Sequence, residues 1–267
     1  MTTQVVLQKK FNWKLFFVLW LASIWAVIAI IPYSLALTGS AAASRALPLP
    51  LPVLLALSVV QNAVLFAIAI AGGLFFANRI GLGLPILENL LDGKKITLDI
   101  PRYIALPVVL GVLGSLAIIA LDAFVFVPLA RGQPGGLSVN ALAANPEAWR
   151  GFLASFYGGI DEEILLRLFV LSLFAFLGKF VSHTADGRPT LAVLWVANIL
   201  AAILFGLGHL PATAAIVAIT PIIVVRAVVL NGLVGVVCGY LYFTRGLESA
   251  MLSHFSADLV LHVLFAL

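Results

Sequence analysis

The sequence predicts an all-α integral membrane protein, a polytopic bundle of about eight transmembrane helices. Three observations predict it. Hydrophobic residues make up 63% of the 267 positions. Charged residues make up 10%, where a soluble domain carries about 25%. Apolar runs of roughly 20 residues or more, enough to cross a hydrocarbon core of about 30 Å, recur along the whole chain. A soluble domain has no place to hide that much apolar surface, so residues 1–267 read as a single integral membrane domain.

The elements follow in order. Lys9, Lys10 and Lys14 precede an apolar run to about Leu37, and Ala41, Ala42, Ala43 and Ser44 follow it. The pattern imitates a signal peptide, but the run exceeds the roughly 7–15 residues of a signal core, so it reads as a retained first span. A proline-bearing loop (Pro48, Pro50, Pro52) leads to a second span, about Val53 to Asn78. The polar stretch Arg79 to Arg102 reads as a loop with a short interfacial helix, and a third span covers about Tyr103 to Val127. A Gly/Pro-rich loop, Arg131 to Pro146, precedes a fourth helix from Glu147 to Phe180. A fifth runs from Thr190 to His209, where Pro211 stops it. Pro221 splits the long run from Ala212 to Phe243, and the last helix spans Leu247 to Leu267. This makes seven long apolar segments, or eight with the split. Gly235 and Gly239, with Gly232 nearby, have the spacing of close helix packing.

The net charge of +4 carries no basic run interleaved with aromatics, which sets nucleic acid aside as a partner. The basic residues fall instead in alternate loops. Lys9, Lys10, Lys14, Arg79, Lys94, Lys95, Arg102, Lys179 and Arg188 lie on one side, Arg45, Arg131 and Arg150 on the other. The positive-inside rule puts the N-terminus in the cytoplasm, and a plasma membrane is assumed. The one cysteine, Cys238, excludes an intrachain disulfide and a Cys-rich metal site, and reads as a packed thiol.

The informative residues are charges inside spans, each costing about 2.5–3.5 kcal/mol at a helix centre. The fourth helix holds Asp161, Glu162, Glu163 and Arg167. Glu163 and Arg167, four apart, share a face and pair. Glu162 points elsewhere, with Gly158 and Gly159 a turn earlier leaving room for a backbone or substrate. Phe205 and His209 are four apart at the end of the fifth helix, and His254 and Asp258 are four apart on the last. Such a set suits water activation, oxyanion stabilisation or a divalent metal. Asp122 reads as a pairing residue, and Arg226 as paired or snorkelling. His183 reads as solvated, and His262 as too near the membrane face to join the site. Asp161 fits the cavity or a packed helix surface equally.

At these residues the sequence resembles a known family, the CPBP (CAAX-protease and bacteriocin-processing, or Abi) proteins. Its motifs stand here as Glu162-Glu163-Ile164-Leu165-Leu166-Arg167, as Phe205 to His209, and as His254 to Asp258. The resemblance covers about residues 149–267 and implies an eight-helix fold with a catalytic core in the last five helices. It implies an intramembrane endopeptidase acting on a membrane-associated or lipidated peptide. Glu162 would be the general base with His209 its partner, His254 and Asp258 would serve the oxyanion, and Glu163, Arg167 and Phe205 would support them. Prenyl endopeptidases carry Asn where this chain has Asp258, and an ionised Asp has no hydrogen to donate. Asp258 is therefore protonated, orients His254, or ligates a metal. A zinc ion, if present, would take Glu162, His209, His254 and Asp258. Signatures of zincins, rhomboids and presenilin-type proteases are missing from the sequence. Two rival readings stay open: a non-catalytic immunity or scaffold protein of this fold, and a proton-coupled transporter, which would show inverted repeats that are not visible here.

Overall fold

A computed structural model describes residues 11–38, 49–95, 99–131 and 146–266. The flanking Lys9 and Lys10, the small-residue stretch with Arg45, the loop over 132–145, and the side chains of Arg102 and Arg131 lie outside the described residues. The described chain is helical, with no strand beyond an isolated bridge between His183 and Pro189.

Helix α1 is Trp13–Thr38, α2 Leu51–Ile80, and α3 the short Pro85–Leu91 in the polar stretch. Helix α4 is Ile100–Leu121, running on through π-helical Asp122–Phe126 into Val127–Arg131. Helix α5 is a rod over 148–178, and α6 is Leu191–Gly208. Helix α7, Leu210–Ala214, carries Pro211 in its first turn, where a missing N–H costs nothing. Pro211 thus starts a new short helix as well as closing the preceding one. Helix α8 is Pro221–Arg245, opened by Pro221 as the sequence suggests, and α9 runs over 247–266.

Among the described residues five helices are long and apolar enough to cross a membrane: Trp13–Leu37, Leu51–Ile80, Tyr103–Ala130, Leu191–Ala214 and Pro221–Arg245. This is an integral membrane protein. The sequence marks seven or eight such segments. The two motif-bearing rods, α5 and α9, differ from the five in a physical way. Each is interrupted by π-helical winding, over Tyr157–Glu162 and Ile164–Leu171 in α5 and Leu259–Val263 in α9, and each carries ionisable residues within it.

Helix association in lipid depends on close backbone approach and interhelical hydrogen bonds. The glycines supply the approach. Helices α6 and α8 meet where a Cβ on Gly206 would stand 2.5 Å from the Val228 Cα, and one on Gly235 3.1 Å from the Ala202 Cβ. Gly239 seats against the Asn198 carboxamide, whose Nδ2 donates to the Val236 carbonyl at 2.9 Å. The Gly235–Gly239 spacing therefore has its packing role. Helix α9 is gripped from both sides, with Gly111 of α4 against the Ser253 carbonyl and Gly151 of α5 against that of His262. Helix α1 is part of the core through Leu15, Leu19 and Ala26, and its Trp20 indole donates to the Ala63 carbonyl at 2.8 Å.

One end of the bundle is knitted by polar contacts. The Glu248 carboxylate accepts from the amides of Ile86 and Leu87, both at 2.9 Å, at the start of α3. The Leu247 amide donates to the Gly83 carbonyl at 3.0 Å, and the Tyr103 hydroxyl to the Arg245 carbonyl at 2.8 Å. Toward the other end, Arg226 of α8 grips Asp122 of α4 with two bonds, 2.7 and 2.6 Å. The pairing expected of both residues is thus with each other. Asp122→Ala should lower the heat-denaturation midpoint in detergent by the equivalent of roughly 1–3 kcal/mol, because it strands a part-buried guanidinium. Asp122→Ala/Arg226→Ala should cost less than the sum of the single changes, which a double-mutant cycle reads directly.

Candidate active site

Residues from α5, α6 and α9 meet at one place in the bundle. At its base lies Glu163, fully buried. Its Oε1 stands 2.9 Å from Arg167 Nη1 and 2.7 Å from His254 Nδ1. The first contact is the pair expected from the sequence. The second is a role that helical spacing does not reveal, since His254 lies 91 positions away. Arg167, also buried, has its guanidinium carbon 4.8 Å from the centre of the Phe205 ring and is admitted close to α8 by Gly235. The negative face of the ring attracts the desolvated charge in a cation–π contact. Phe205 is also edge-on to His209 and His254, with centroids 4.8 and 5.5 Å away.

These contacts fix both imidazoles. Glu163 is ionised against Arg167 and has no proton to give, so His254 Nδ1 is the donor and Nε2 is left facing the site. His209 Nδ1 lies 2.9 Å from the Phe205 carbonyl, which also only accepts, so its Nε2 is likewise the free nitrogen. Both Nε2 atoms face Glu162: His209 Nε2 is 3.8 Å from Oε1 and His254 Nε2 is 3.5 Å from Oε2. Asp258 Oδ1 lies 3.7 Å from His254 Nε2. The structure thus brings Glu162, His209, His254 and Asp258 together, with Glu163, Arg167 and Phe205 beneath them.

Glu162 ends one π-helical segment of α5 and Glu163 separates it from the next, a winding that recurs at functional sites. Gly158 is where the room is needed. A Cβ there would collide with Asp258 Oδ2 and stand 3.2 Å from His254 Nε2, while Gly159 packs on Phe255. The room these glycines leave is therefore filled by α9, not by open space for substrate.

Sequence reasoning missed two residues at the edge of the cluster. His262 Nε2 is 3.9 Å from Asp258 Oδ1, and its Nδ1 is 3.1 Å from the hydroxyl of Tyr33 on α1. His262 therefore adjoins the site, contrary to its placement near the membrane face. Its four-residue step from Asp258 was the available signal, whereas nothing in the sequence links Tyr33 to α9. Asp161 is buried beside Ser23 of α1, away from the two histidines. His183 is exposed, as expected.

Among the described residues a second donor group, Glu163, Cys238 and His254, has its donors within 4.8 Å of one another. Glu163 Oε1 is already shared by Arg167 and His254, and a guanidinium beside it repels a divalent cation. This group reads as an ion-pair network with a packed thiol.

A family model matches the part of the chain that carries the motifs. Residues 144–260 match the family model described as Type II CAAX prenyl endopeptidase Rce1-like. No curated protein and no solved structure matched the chain. The Rce1-like match spans somewhat less than half of the chain, contains all seven motif residues, and ends before His262. At the level of the family it supports an intramembrane protease of CAAX type.

Two changes test the base of the site. Glu163→Gln leaves Arg167 buried without a counter-charge and should cost about 3–5 kcal/mol of stability, much of it recovered in Glu163→Gln/Arg167→Met. Heat denaturation of the solubilised protein would show it. Gly158→Ala should leave the fold in place but displace Asp258 and His254, with a loss of about 100-fold in any turnover the site supports.

Proposed function

We propose that this protein is an intramembrane endopeptidase that hydrolyses a peptide bond of a membrane-associated or lipidated peptide. The observation that carries the reading is the placement of Glu162 between the Nε2 atoms of two histidines from two other helices. Separations of 3.5 and 3.8 Å are too long for direct hydrogen bonds and suit a bridging water.

Glu162 is the general base. A water donates one hydrogen to its carboxylate and the other to His209 Nε2, which aims an oxygen lone pair at the scissile carbonyl. As the C–O bond forms, Glu162 takes the first proton and the carbonyl π pair moves onto oxygen. His254, doubly protonated, donates from Nε2–H to that oxyanion, while Asp258 lies beside it as counter-charge. Asp258 acts here without donating, which accommodates Asp in the position where prenyl endopeptidases carry Asn. Collapse re-forms the C=O bond and breaks the C–N bond, and the proton held by Glu162 passes to the leaving amine. Glu163 and Arg167 hold His254 in register and touch no substrate.

By donor type, though not by a close grouping of their atoms, these residues also suit a divalent ion. Glu162, His209, His254 and Asp258 would hold zinc, each imidazole being fixed through its Nδ1 in the manner of metal-bound histidines. Bound there, zinc would supply Lewis-acid polarisation of water.

The test is cleavage of a panel of membrane-anchored and prenylated peptides by the purified protein. Glu162→Gln and His209→Ala should each lower turnover by about 10²–10⁴-fold. Their heat-denaturation midpoints should stay near that of the parent, because both side chains are partly exposed. Activity retained in chelator marks the glutamate–histidine route, and activity lost in chelator and restored by zinc marks the metal-bound one. Equal cleavage by parent and Glu162→Gln on every peptide would sink the endopeptidase reading in favour of a scaffold.

A further inference from the structure

We propose that His262, held by Tyr33 of α1, is a positioning residue of the catalytic centre: it presents an N–H toward Asp258 and so fixes that carboxylate beside His254. The proposal deepens the endopeptidase reading and rests on it for the role of Asp258, whereas the state of the His262 ring is measurable without turnover.

The first observation is how the side chains of α9 are arranged around Asp258. Its Oδ1 is 3.7 Å from His254 Nε2 and 3.9 Å from His262 Nε2. One carboxylate oxygen therefore faces an imidazole on each side. The other oxygen, Oδ2, lies against Gly158 of α5. Glu162 stands in the same way between His209 and His254. Imidazole and carboxylate thus alternate as His209, Glu162, His254, Asp258 and His262. At 3.9 Å the last contact is too long for a direct hydrogen bond and within reach of one bridging water.

The second observation is that three helices converge on His262. Its Nδ1 is 3.1 Å from the Tyr33 hydroxyl, and the two rings meet edge to face with centroids 5.4 Å apart. Pro32, next to Tyr33 on α1, accepts through its carbonyl from Arg150 of α5 at 3.2 Å. Gly151, next to Arg150, seats the backbone of His262: a Cβ there would collide with the His262 carbonyl oxygen. Pro32 and Tyr33 of α1 thus meet Arg150 and Gly151 of α5 around one residue of α9. A ring tied on both its backbone and its Nδ1 side keeps one orientation, with Nε2 toward Asp258. His262 also lies in the π-helical Leu259–Val263.

The two observations are independent, since one concerns Nε2 and Asp258 and the other concerns Nδ1 and the backbone. Together they assign the proton on the ring. As the counter-charge of His254, Asp258 only accepts. A neutral His262 serves both of its neighbours when the Tyr33 O–H donates to Nδ1 and Nε2 carries the hydrogen. The opposite tautomer offers Asp258 nothing. With Nε2–H in place, Asp258 has a donor on the side away from His254, and Oδ1 stays between the two rings. An Asn at this position would bring a donor of its own, whereas an Asp depends on one supplied by a neighbour. Tyr33 and His262 both lie outside the segment matched to the family model. They are additions to the centre that this chain's own packing supplies.

The experiment has two arms, both on the full chain in detergent. In the first, the protein carries 15N-labelled histidine, and the His262 signals are assigned by their loss in His262→Gln. The expected result is a proton on Nε2 and a signal that shifts in Tyr33→Phe. A ring bare at Nε2, or a signal unmoved by Tyr33→Phe, overturns the proposal. In the second arm, cleavage of a membrane-anchored peptide is followed. His262→Ala should lower kcat by about 10-fold with little change in KM. His262→Gln, whose amide N–H reaches the position of Nε2, should recover most of the loss. Placed on Asp258→Asn, His262→Ala should cost little further. An equal loss in both backgrounds means that His262 acts apart from Asp258, and it overturns the proposal. If Asp258→Asn is itself inactive, the Gln variant decides, and no recovery there overturns it. If the parent cleaves no peptide, the endopeptidase reading falls and takes the positioning role with it, while the 15N signals still decide the Tyr33–His262 bond.

Discussion

The site depends on one carboxylate oxygen. Glu163 Oε1 is shared between Arg167 on its own helix and His254 on another. In the apolar interior neither charge survives alone, because desolvation of an ion costs several kcal/mol and must be repaid by close pairing. Arg167 keeps Glu163 ionised, and the ionised Glu163 forces His254 to donate from Nδ1. The same Arg167 lies over Phe205, whose backbone carbonyl holds His209. The ion pair thus makes His254 donate from Nδ1, the Phe205 carbonyl does the same for His209, and the Nε2 atoms of both converge on Glu162.

The helix packing makes that arrangement possible. Gly158 and Gly159 bring α9 against α5, Gly111 brings it against α4, and Gly235 lets Arg167 approach α8. In lipid there is little hydrophobic force between helices, so association falls to close contact and polar bonds. Glycine serves both, by admitting backbones and by leaving polar side chains within reach of one another. The helical step of about 100° places two adjacent glutamates of α5 in different surroundings, Glu163 sealed and Glu162 partly exposed.

The bundle is also asymmetric from end to end. Hydrogen bonds and basic residues gather at one end. Asp122 and Arg226 brace α4 against α8 toward the other.

The sequence by itself determined the all-α membrane class, since composition and run length leave an apolar chain no other solvent. It also determined the helix breaks at Pro211 and Pro221, the Glu163–Arg167 pair and the list of motif residues, because all are local: a missing N–H, a four-residue step, a charge out of place. Only the tertiary structure decided what joins distant segments. Glu163 with His254, Asp122 with Arg226, and Tyr33 with His262 are contacts between helices, and periodicity along one helix carries no information about which neighbour it faces. The π-helical turns were hidden as well, because their wider winding follows from packing and not from local propensity. The bond between His254 and Glu163 exists only once α5 and α9 are packed together, and so the orientation of that histidine, with the chemistry it permits, is a property of the fold.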